Sequence, residues 1–337
     1  MLEKPDVQDA RIMARVHHEY GLPLAALSFL PLGVDEGSAV YRAVATDETP
    51  YFVKLRRGPF DEMSVRLPRF LSEQGIGHLI PPLETLGGHL WTNLDALKLM
   101  VSPFVEGRDG YQVPLSAPNW RSFGRTVRQI HGVELPPALA ARLPQERYPS
   151  RWRQAARMFL ESAEGGHEDP IARELAAFLR AEQQAVADLV QRAERLARAL
   201  QARSPSFVLC HSDLHAGNIL IGADGGFFIV DWDAPILAPK ERDLMYAGGG
   251  LMGAWYAPQE EEALFYEGYG QTGIDTEALA YYRYERIVQD IAVFSEQILR
   301  LHGGREDRER SLQYLISNFL PGNTIDIARH SDGTLQI

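Results

Sequence analysis

Apolar positions along the chain change their spacing once. Up to about residue 104 they fall in short runs. Val40 to Thr46 and Tyr51 to Leu55 are rich in β-branched and aromatic residues, and Asp47-Glu48-Thr49-Pro50 lies between them. Two such runs around a turn-forming tetrapeptide predict a β-hairpin. Leu97 to Phe104 is a compact apolar run that predicts a buried strand. Pro5 to Tyr20 predicts a short helix, and Asp61 to Gln74 a second one ended by Gly75. Pro68 predicts a break or kink inside that second helix, because proline removes a backbone donor and clashes with the preceding turn.

Beyond Glu106-Gly107-Arg108-Asp109-Gly110, a linker-like stretch, the spacing becomes helical. Helices are predicted over Pro118 to His131, with Ser116 as cap, and over Ser150 to Glu161. Ile171 to Ala202 carries Leu175, Phe178, Leu179, Val186, Leu189, Val190, Leu196 and Leu200 as one stripe for packing on a core. Phe207 to Cys210 and Phe227 to Val230 predict two short strands flanking Asn218 to Ile221, and Thr276 to Leu301 and Arg305 to Phe319 close the chain as helices. The expected architecture is α+β and bilobal, with a small β-rich lobe over 1–105, a hinge at its end, and a larger, mainly helical lobe over 106–337. A cleft between lobes is a preferred ligand site.

Composition narrows the partners. The chain has 337 residues, and 34 Lys and Arg against 45 Asp and Glu give a formal charge of −11. Such a protein is a poor partner for nucleic acid, which needs a basic face, and its negative field concentrates cations. No apolar run reaches the length of a membrane span and no signal peptide opens the sequence, so a cytoplasmic protein is expected. Cys210 is the one cysteine, which excludes an intrachain disulfide and a four-cysteine zinc site. A monomer or weak dimer acting on a small cationic molecule fits these bounds.

The densest chemistry lies in Val208 to Ile221, where a strand delivers His211-Ser212-Asp213-Leu214-His215-Ala216-Gly217-Asn218. Thirteen positions after Asn218, the apolar run Phe227 to Val230 ends in Asp231-Trp232-Asp233. A carboxamide oxygen and a carboxylate on adjacent strand ends suit a hard cation such as Mg²⁺, which takes one or two carboxylates plus phosphate oxygens. Asp213, five positions before Asn218, is then left to accept a hydroxyl proton. Lys54, on a predicted strand, offers a point charge to phosphate oxygens.

This spacing resembles the catalytic loop of enzymes with the protein-kinase architecture: His, any residue, Asp, four residues, Asn, then a metal-binding Asp. Ser212 in place of Arg, His215 two residues past Asp213, and Asp-Trp-Asp in place of Asp-Phe-Gly are similar instead to the aminoglycoside phosphotransferase and choline-kinase-like family. Cys210-His-Ser-Asp-Leu-His-Ala-Gly-Asn218, Asp231-Trp-Asp-Ala-Pro235, Ala238-Pro-Lys-Glu-Arg-Asp-Leu-Met245 followed by Gly248-Gly-Gly250, and Tyr281-Tyr-Arg-Tyr-Glu-Arg-Ile-Val-Gln-Asp-Ile-Ala292 resemble the spectinomycin (aminocyclitol) phosphotransferases most closely. The likeness runs from Tyr51-Phe-Val-Lys-Leu55 to the C-terminal helices.

That resemblance implies roles. Asp213 would be the catalytic residue at the acceptor hydroxyl, Asn218 and Asp231 the Mg²⁺ ligands, and Lys54 the ATP-phosphate contact. Glu62 is expected as the carboxylate partner of Lys54. Leu32 to Ala39 is expected as the phosphate-covering loop, with Ser38 as a donor. Ser102-Pro103-Phe104-Val105 is expected as the hinge, with Pro103 and Val105 at the adenine edge. His211 and Asp243 would support the loop. For the acceptor, the expectation is Asp233, which could instead tune the metal site, with Glu285 and Tyr269 in an acid-rich C-terminal region that also holds Glu260, Glu261, Glu262, Glu267, Asp275, Glu277 and Asp290.

The implied activity is ATP-dependent O-phosphorylation of an aminocyclitol antibiotic such as spectinomycin. Alternatives are a kinase of homoserine, choline or a sugar, a non-catalytic nucleotide-binding scaffold, and a metal-dependent hydrolase using His211, Asp213 and His215.

Overall fold

A computed structural model of the chain describes residues 4–31, 37–203, 205–299 and 304–333. In chain order the helices are α1 (Asp9–Tyr20), α2 (Met63–Glu73), α3 (Ala117–Gly132), α4 (Pro137–Ala140), α5 (Arg151–Ser162), α6 (Pro170–Ala181), α7 (Gln183–Gln201), α8 (Glu241–Leu244), α9 (Pro258–Tyr269), α10 (Thr276–Leu299), α11 (Arg305–Ser317) and α12 (Thr324–Ser331). The strands are β1 (Leu24–Leu30), β2 (Ser38–Ala45), β3 (Pro50–Arg56), β4 (Thr92–Leu94), β5 (Leu97–Pro103), β6 (Gly107–Asp109), β7 (Val208–Cys210), β8 (Ile219–Gly222), β9 (Phe227–Ile229) and β10 (Ile236–Ala238). The chain forms two compact units. The first comprises Met1–Asn119, Val133–Leu143 and Ala216–Pro235; the second comprises Trp120–Gly132, Pro144–His215 and Ile236–Ile337.

The boundary expected at residue 105 therefore falls inside the first unit. The reason is pairing: β6 joins β8, and β8 joins β9, all antiparallel, which ties 216–235 back to the N-terminal part of the chain.

In the first unit, β1, β2, β3, β5 and β4 form an antiparallel sheet in that order. The predicted hairpin is its centre, with Tyr51 opposite Ala43 and Lys54 opposite Val40. Asp47 closes its turn by accepting the Thr49 amide at 3.0 Å. Ile12, Val16 and Tyr20 of α1 share a core with Tyr41, Ala43, Val53, Leu55, Leu99 and Val101. Side chains alternate across a strand, so burying Val53 and Leu55 in that core turns Lys54 and Arg56 to the opposite face.

Helix α2 runs through Pro68 without the expected break. Proline lacks the one amide that would have reached Ser64, and its ring is buried with Met63, Val65, Leu67 and Leu71, so burial offsets a single lost hydrogen bond. Asp61, just before the helix, accepts the Met63 amide at 2.9 Å, one of the amides the helix start leaves without an internal partner.

In the second unit, α10 packs against α5, α7, α11 and α12. The long predicted helix over Ile171 to Ala202 is two, α6 and α7, separated at Glu182, and both halves keep the apolar stripe buried. Helices α3 and α9 meet backbone to backbone: a Cβ on Gly268 would lie on the Arg121 carbonyl, and one on Gly124 on the Phe265 carbonyl. No described helix is long and apolar enough to cross a membrane.

Glu261 of α9 is 2% exposed and accepts the Gly248 amide at 3.2 Å. Burial pushes its carboxyl up to about 7, which the Gly248 amide only partly offsets. Between the ordinary value and about 7 the folded chain binds more protons than the unfolded one. The group's contribution to stability is thus full at low pH and lost as pH rises through 7. Glu261→Gln is neutral throughout. Its stability relative to the parent protein is expected to rise by on the order of 2 kcal/mol between pH 5 and pH 8. Thermal unfolding midpoints at the two pH values check this, and parallel pH dependences would refute it.

Candidate active site

Asp213, the aspartate expected to be catalytic, is built in the second unit. Strand β7, paired with β10, ends at Cys210 and hands the chain to His211, Ser212 and Asp213. Ser212 has a φ of 73°, an unusual conformation for a residue other than glycine. Asp243, 2% exposed, fixes it: its carboxylate accepts the His211 amide at 2.8 Å and the Ser212 amide at 2.7 Å. Nδ1 of His211 in turn accepts the Asp213 amide at 3.3 Å. Asp243 is itself held from α3, since His131 Nε2 lies 3.2 Å from it and His131 Nδ1 lies 2.9 Å from the Tyr269 hydroxyl. The network assigns the Nε2–H tautomer: the Tyr269 hydroxyl donates to His131, which donates to Asp243.

The Asp213 carboxylate stands among cationic and hydroxyl donors. Arg286 Nη1 donates to its Oδ1 at 2.7 Å, the Tyr246 hydroxyl lies 3.3 Å from the same oxygen, and His215 Nε2 lies 3.5 Å from Oδ2. Burial pushes this carboxyl up, but the His215 hydrogen bond and the Arg286 guanidinium outweigh burial and hold it far below the usual carboxylate range.

In the first unit, a short helical turn, Ala216–Asn218, leads into β8. The Asn218 carbonyl accepts the Val230 amide at 3.0 Å, so Asn218 and Asp231 end neighbouring strands. Asn218 is buried, whereas Asp231 is exposed at a φ of 64°. Two oxygen donors on adjacent strand ends, one an exposed carboxylate, fit a hard divalent cation. Within the same unit, Asp233 Oδ2 accepts from Lys54 Nζ at 3.1 Å and from Arg56 Nη1 at 2.6 Å. Burial pushes the Asp233 carboxyl up, but the two cations outweigh it and lower it.

Several expected residues stand elsewhere. Lys54 pairs with Asp233, not with Glu62; Glu62 faces Arg66, one turn along its own helix, and Arg142. Asp233, expected at the acceptor, is paired with two cations of the first unit's sheet. Glu285 is buried on Arg153 at 2.6 Å, and Tyr269 is core, stacked on Phe265 and bonded to His131.

Five further acids of the stretch are also engaged. Glu262 faces Arg283, Glu267 faces Arg121, Asp275 and Glu277 face Arg203, and Asp290 faces Arg286. A local sequence pattern does not show arginines supplied from other helices.

Of the phosphate-covering loop, Leu32 to Glu36 lie outside the described residues. Ser38 begins β2 opposite Arg56. At the expected hinge, Pro103 has no amide to donate and the Phe104 amide is taken by the Pro50 carbonyl at 3.3 Å.

Sequence reasoning missed Arg56, Arg286 and His131. The signal for Arg56 was present, since it lies two residues after Lys54 on one strand and so shares its face. The ligand atoms of His131, Cys210 and Asp243 lie within 4.8 Å of one another, the arrangement that could hold a metal ion. Their hydrogen bonds identify a loop anchor instead: the Cys210 thiol donates toward the Ala238 and Pro239 carbonyls, and Asp243 serves two amides.

A β-sheet unit bearing a strand lysine, followed by a largely helical unit and an oriented aspartate loop, defines a protein with the protein-kinase-like fold. The chain belongs to the phosphotransferase enzyme family, whose model matches residues 28–284. It is similar to spectinomycin phosphotransferase APH(9)-Ia solved with ADP and spectinomycin, at 34% identity and a TM-score of 0.89, covering 97% of this chain and 99% of that one. Protein StrN of Streptomyces griseus is 29% identical over 241 residues, 68% of this chain and 71% of that protein. An amicoumacin kinase bound to AMP-PNP shares the fold at 16% identity and a TM-score of 0.60, covering 96% of this chain and 97% of that one.

Proposed function

We propose that this protein is an ATP- and Mg²⁺-dependent O-phosphotransferase acting on one hydroxyl of a small cationic aminocyclitol, with spectinomycin as the leading acceptor. The observation that carries this reading is the end-to-end similarity to the spectinomycin phosphotransferase, combined with an Asp213 carboxylate held charged and oriented at the tip of its loop. Asn218 and Asp231 would hold Mg²⁺, which neutralises phosphate charge when bound. Lys54, with Arg56 beside it, meets phosphate oxygens, and Val105 offers its amide to the base.

Asp213 accepts a hydrogen bond from the acceptor hydroxyl and aims its oxygen at the γ-phosphorus. As the new P–O bond forms, the bond from the γ-phosphorus to the bridging oxygen breaks. That electron pair leaves with ADP, and the hydroxyl proton passes to Asp213. Catalysis is then placement plus charge neutralisation.

The arginine pairing of the acid-rich stretch favours a second reading, in which the acceptor is a hydroxylated metabolite, such as a sugar, recognised through hydroxyls rather than through an ammonium group. One panel separates the two. ADP release is measured with spectinomycin, other aminocyclitols, homoserine, choline and sugars, with Mg²⁺ present and after chelation. Turnover on spectinomycin, lost on chelation and restored by Mg²⁺, is expected. Turnover on a metabolite and on no aminocyclitol would replace the first reading with the second. ATP binding without transfer to any compound would indicate a scaffold.

A further inference from the structure

Arg286 lies in the middle of α10, and its guanidinium is engaged on two sides. Nε donates to Asp290 Oδ1 one turn along the helix at 3.0 Å, and Nη1 donates to Asp213 Oδ1 at 2.7 Å and lies 3.2 Å from the Tyr246 hydroxyl. The guanidinium also sits 6.0 Å from the centre of the Tyr246 ring. Largely burying an arginine among helices is costly unless its donors are met, so Asp290 on Nε and the Tyr246 hydroxyl beside Nη1 hold the guanidinium in one orientation and fix where Nη1 points. It points at the one carboxylate on which the proposed chemistry depends.

We propose that Arg286 is a positioning residue for phosphoryl transfer: anchored by Asp290 and Tyr246, it clamps Oδ1 of Asp213 so that Oδ2, on the His215 side, meets the acceptor hydroxyl. The inference rests on the phosphotransferase reading of Asp213 given above.

The pairing also sets the timing of the proton. A carboxylate paired with a guanidinium is a weak base. Asp213 therefore serves first as a hydrogen-bond acceptor that orients the hydroxyl. It receives the proton late, once the bond from the γ-phosphorus to the departing ADP oxygen is largely broken, as a loose transition state requires. The charged and titratable groups around Asp213 are Arg286 from α10, Tyr246 from the segment after α8, and His211 and His215 from its own loop. Asp290 and Asp243 stand behind Arg286 and the loop backbone.

The test compares the parent protein with Arg286→Met, Arg286→Lys and the double variant Arg286→Met/Asp290→Asn. The double variant removes both buried charges together, so a folding failure caused by a stranded Asp290 is separated from the effect on Asp213. Circular dichroism and ADP binding report folding. The titration of the Asp213 carboxyl is read by carbon-13 NMR of labelled aspartate, assigned by its loss in Asp213→Asn.

Removing the guanidinium is expected to raise the Asp213 midpoint by about 1 to 3 pH units. It is also expected to lower kcat by about 10- to 100-fold, with KM for ATP within about twofold, and to introduce an acid limb in the kcat profile. Arg286→Lys should recover part of the rate and move that limb back toward acid. An unchanged Asp213 titration in a folded Arg286→Met or double variant overturns the proposal, as does a rate loss identical at every pH and unrelieved by lysine. The NMR readout needs no acceptor. A parent protein that transfers phosphate to nothing would refute the phosphotransferase reading, while the Asp213 titration would still decide whether the Arg286 clamp exists.

Discussion

Asp213→Ala is expected to lower kcat for phosphoryl transfer by about a thousandfold, within the range spanned by positioned general bases, and to leave ADP affinity within about twofold. The selectivity of the loss follows from the roles proposed for these residues. Lys54, Arg56, Asn218, Asp231 and Val105 belong to the first compact unit, while Asp213 belongs to the second. Under the proposed function the nucleotide is held by the first set, so removing the Asp213 side chain is expected to spare ADP binding. It also leaves the loop standing, because the backbone amides of His211 and Ser212 are held by Asp243, and the Asp213 amide by His211. The variant keeps a shaped site with no acceptor for the hydroxyl proton. Isothermal titration with ADP, alongside steady-state transfer to the best acceptor of the panel, checks both halves of the expectation. Transfer that survives the substitution unchanged would remove Asp213 from the mechanism.

The parts of this molecule that were legible in the sequence share a property: each is written in neighbouring residues. The hairpin around Asp47 to Pro50 shows in its own alternation and turn chemistry. The short strands that deliver Asp213 and Asp231 show in their own apolar runs, Phe207 to Cys210 and Phe227 to Val230. Strand β1 did not show, because Leu-Ala-Ala-Leu-Ser-Phe-Leu lacks both alternation and β-branched residues, and pairing with β2 decides its conformation. β6 and β10 are three residues each and exist as strands through their partners β8 and β7.

The partner of Lys54 shows the same limit at the site. A carboxylate on the next helix and one 179 residues away in sequence are equally plausible on paper, and only folding brings Asp233 to the sheet face that Lys54 and Arg56 share. The acid-rich C-terminal stretch was the most misleading feature. Its charge is visible in sequence, but the arginines that face much of it come from α3, α5 and the segment just after α7 as well as from α10 itself. Counting acids therefore overstated the negative surface offered to an acceptor.

Asp243→Asn is expected to be nearly as damaging as loss of Asp213, by a different route. One carboxylate here accepts two consecutive backbone amides and the His131 ring N–H, all in a site closed to water. It holds Ser212 at a φ of 73°, a conformation costing roughly 1–3 kcal/mol that persists only where the surroundings impose it. A carboxamide keeps one accepting oxygen but turns an NH₂ group toward a backbone amide or the His131 N–H. One buried donor then faces another donor, at a cost on the order of 3 kcal/mol. Ser212 relaxes out of the left-handed region, and because Asp213 follows it directly, the carboxylate is displaced with it. A shift of about 1 Å in a reacting group is worth about a hundredfold in rate. The expected signature is a lower thermal midpoint, kcat reduced about a hundredfold and ADP affinity near that of the parent protein. Asp213→Ala, by contrast, should lose rate with little loss of stability. A folded Asp243→Asn variant with full kcat would show that Ser212 keeps its conformation without the anchor.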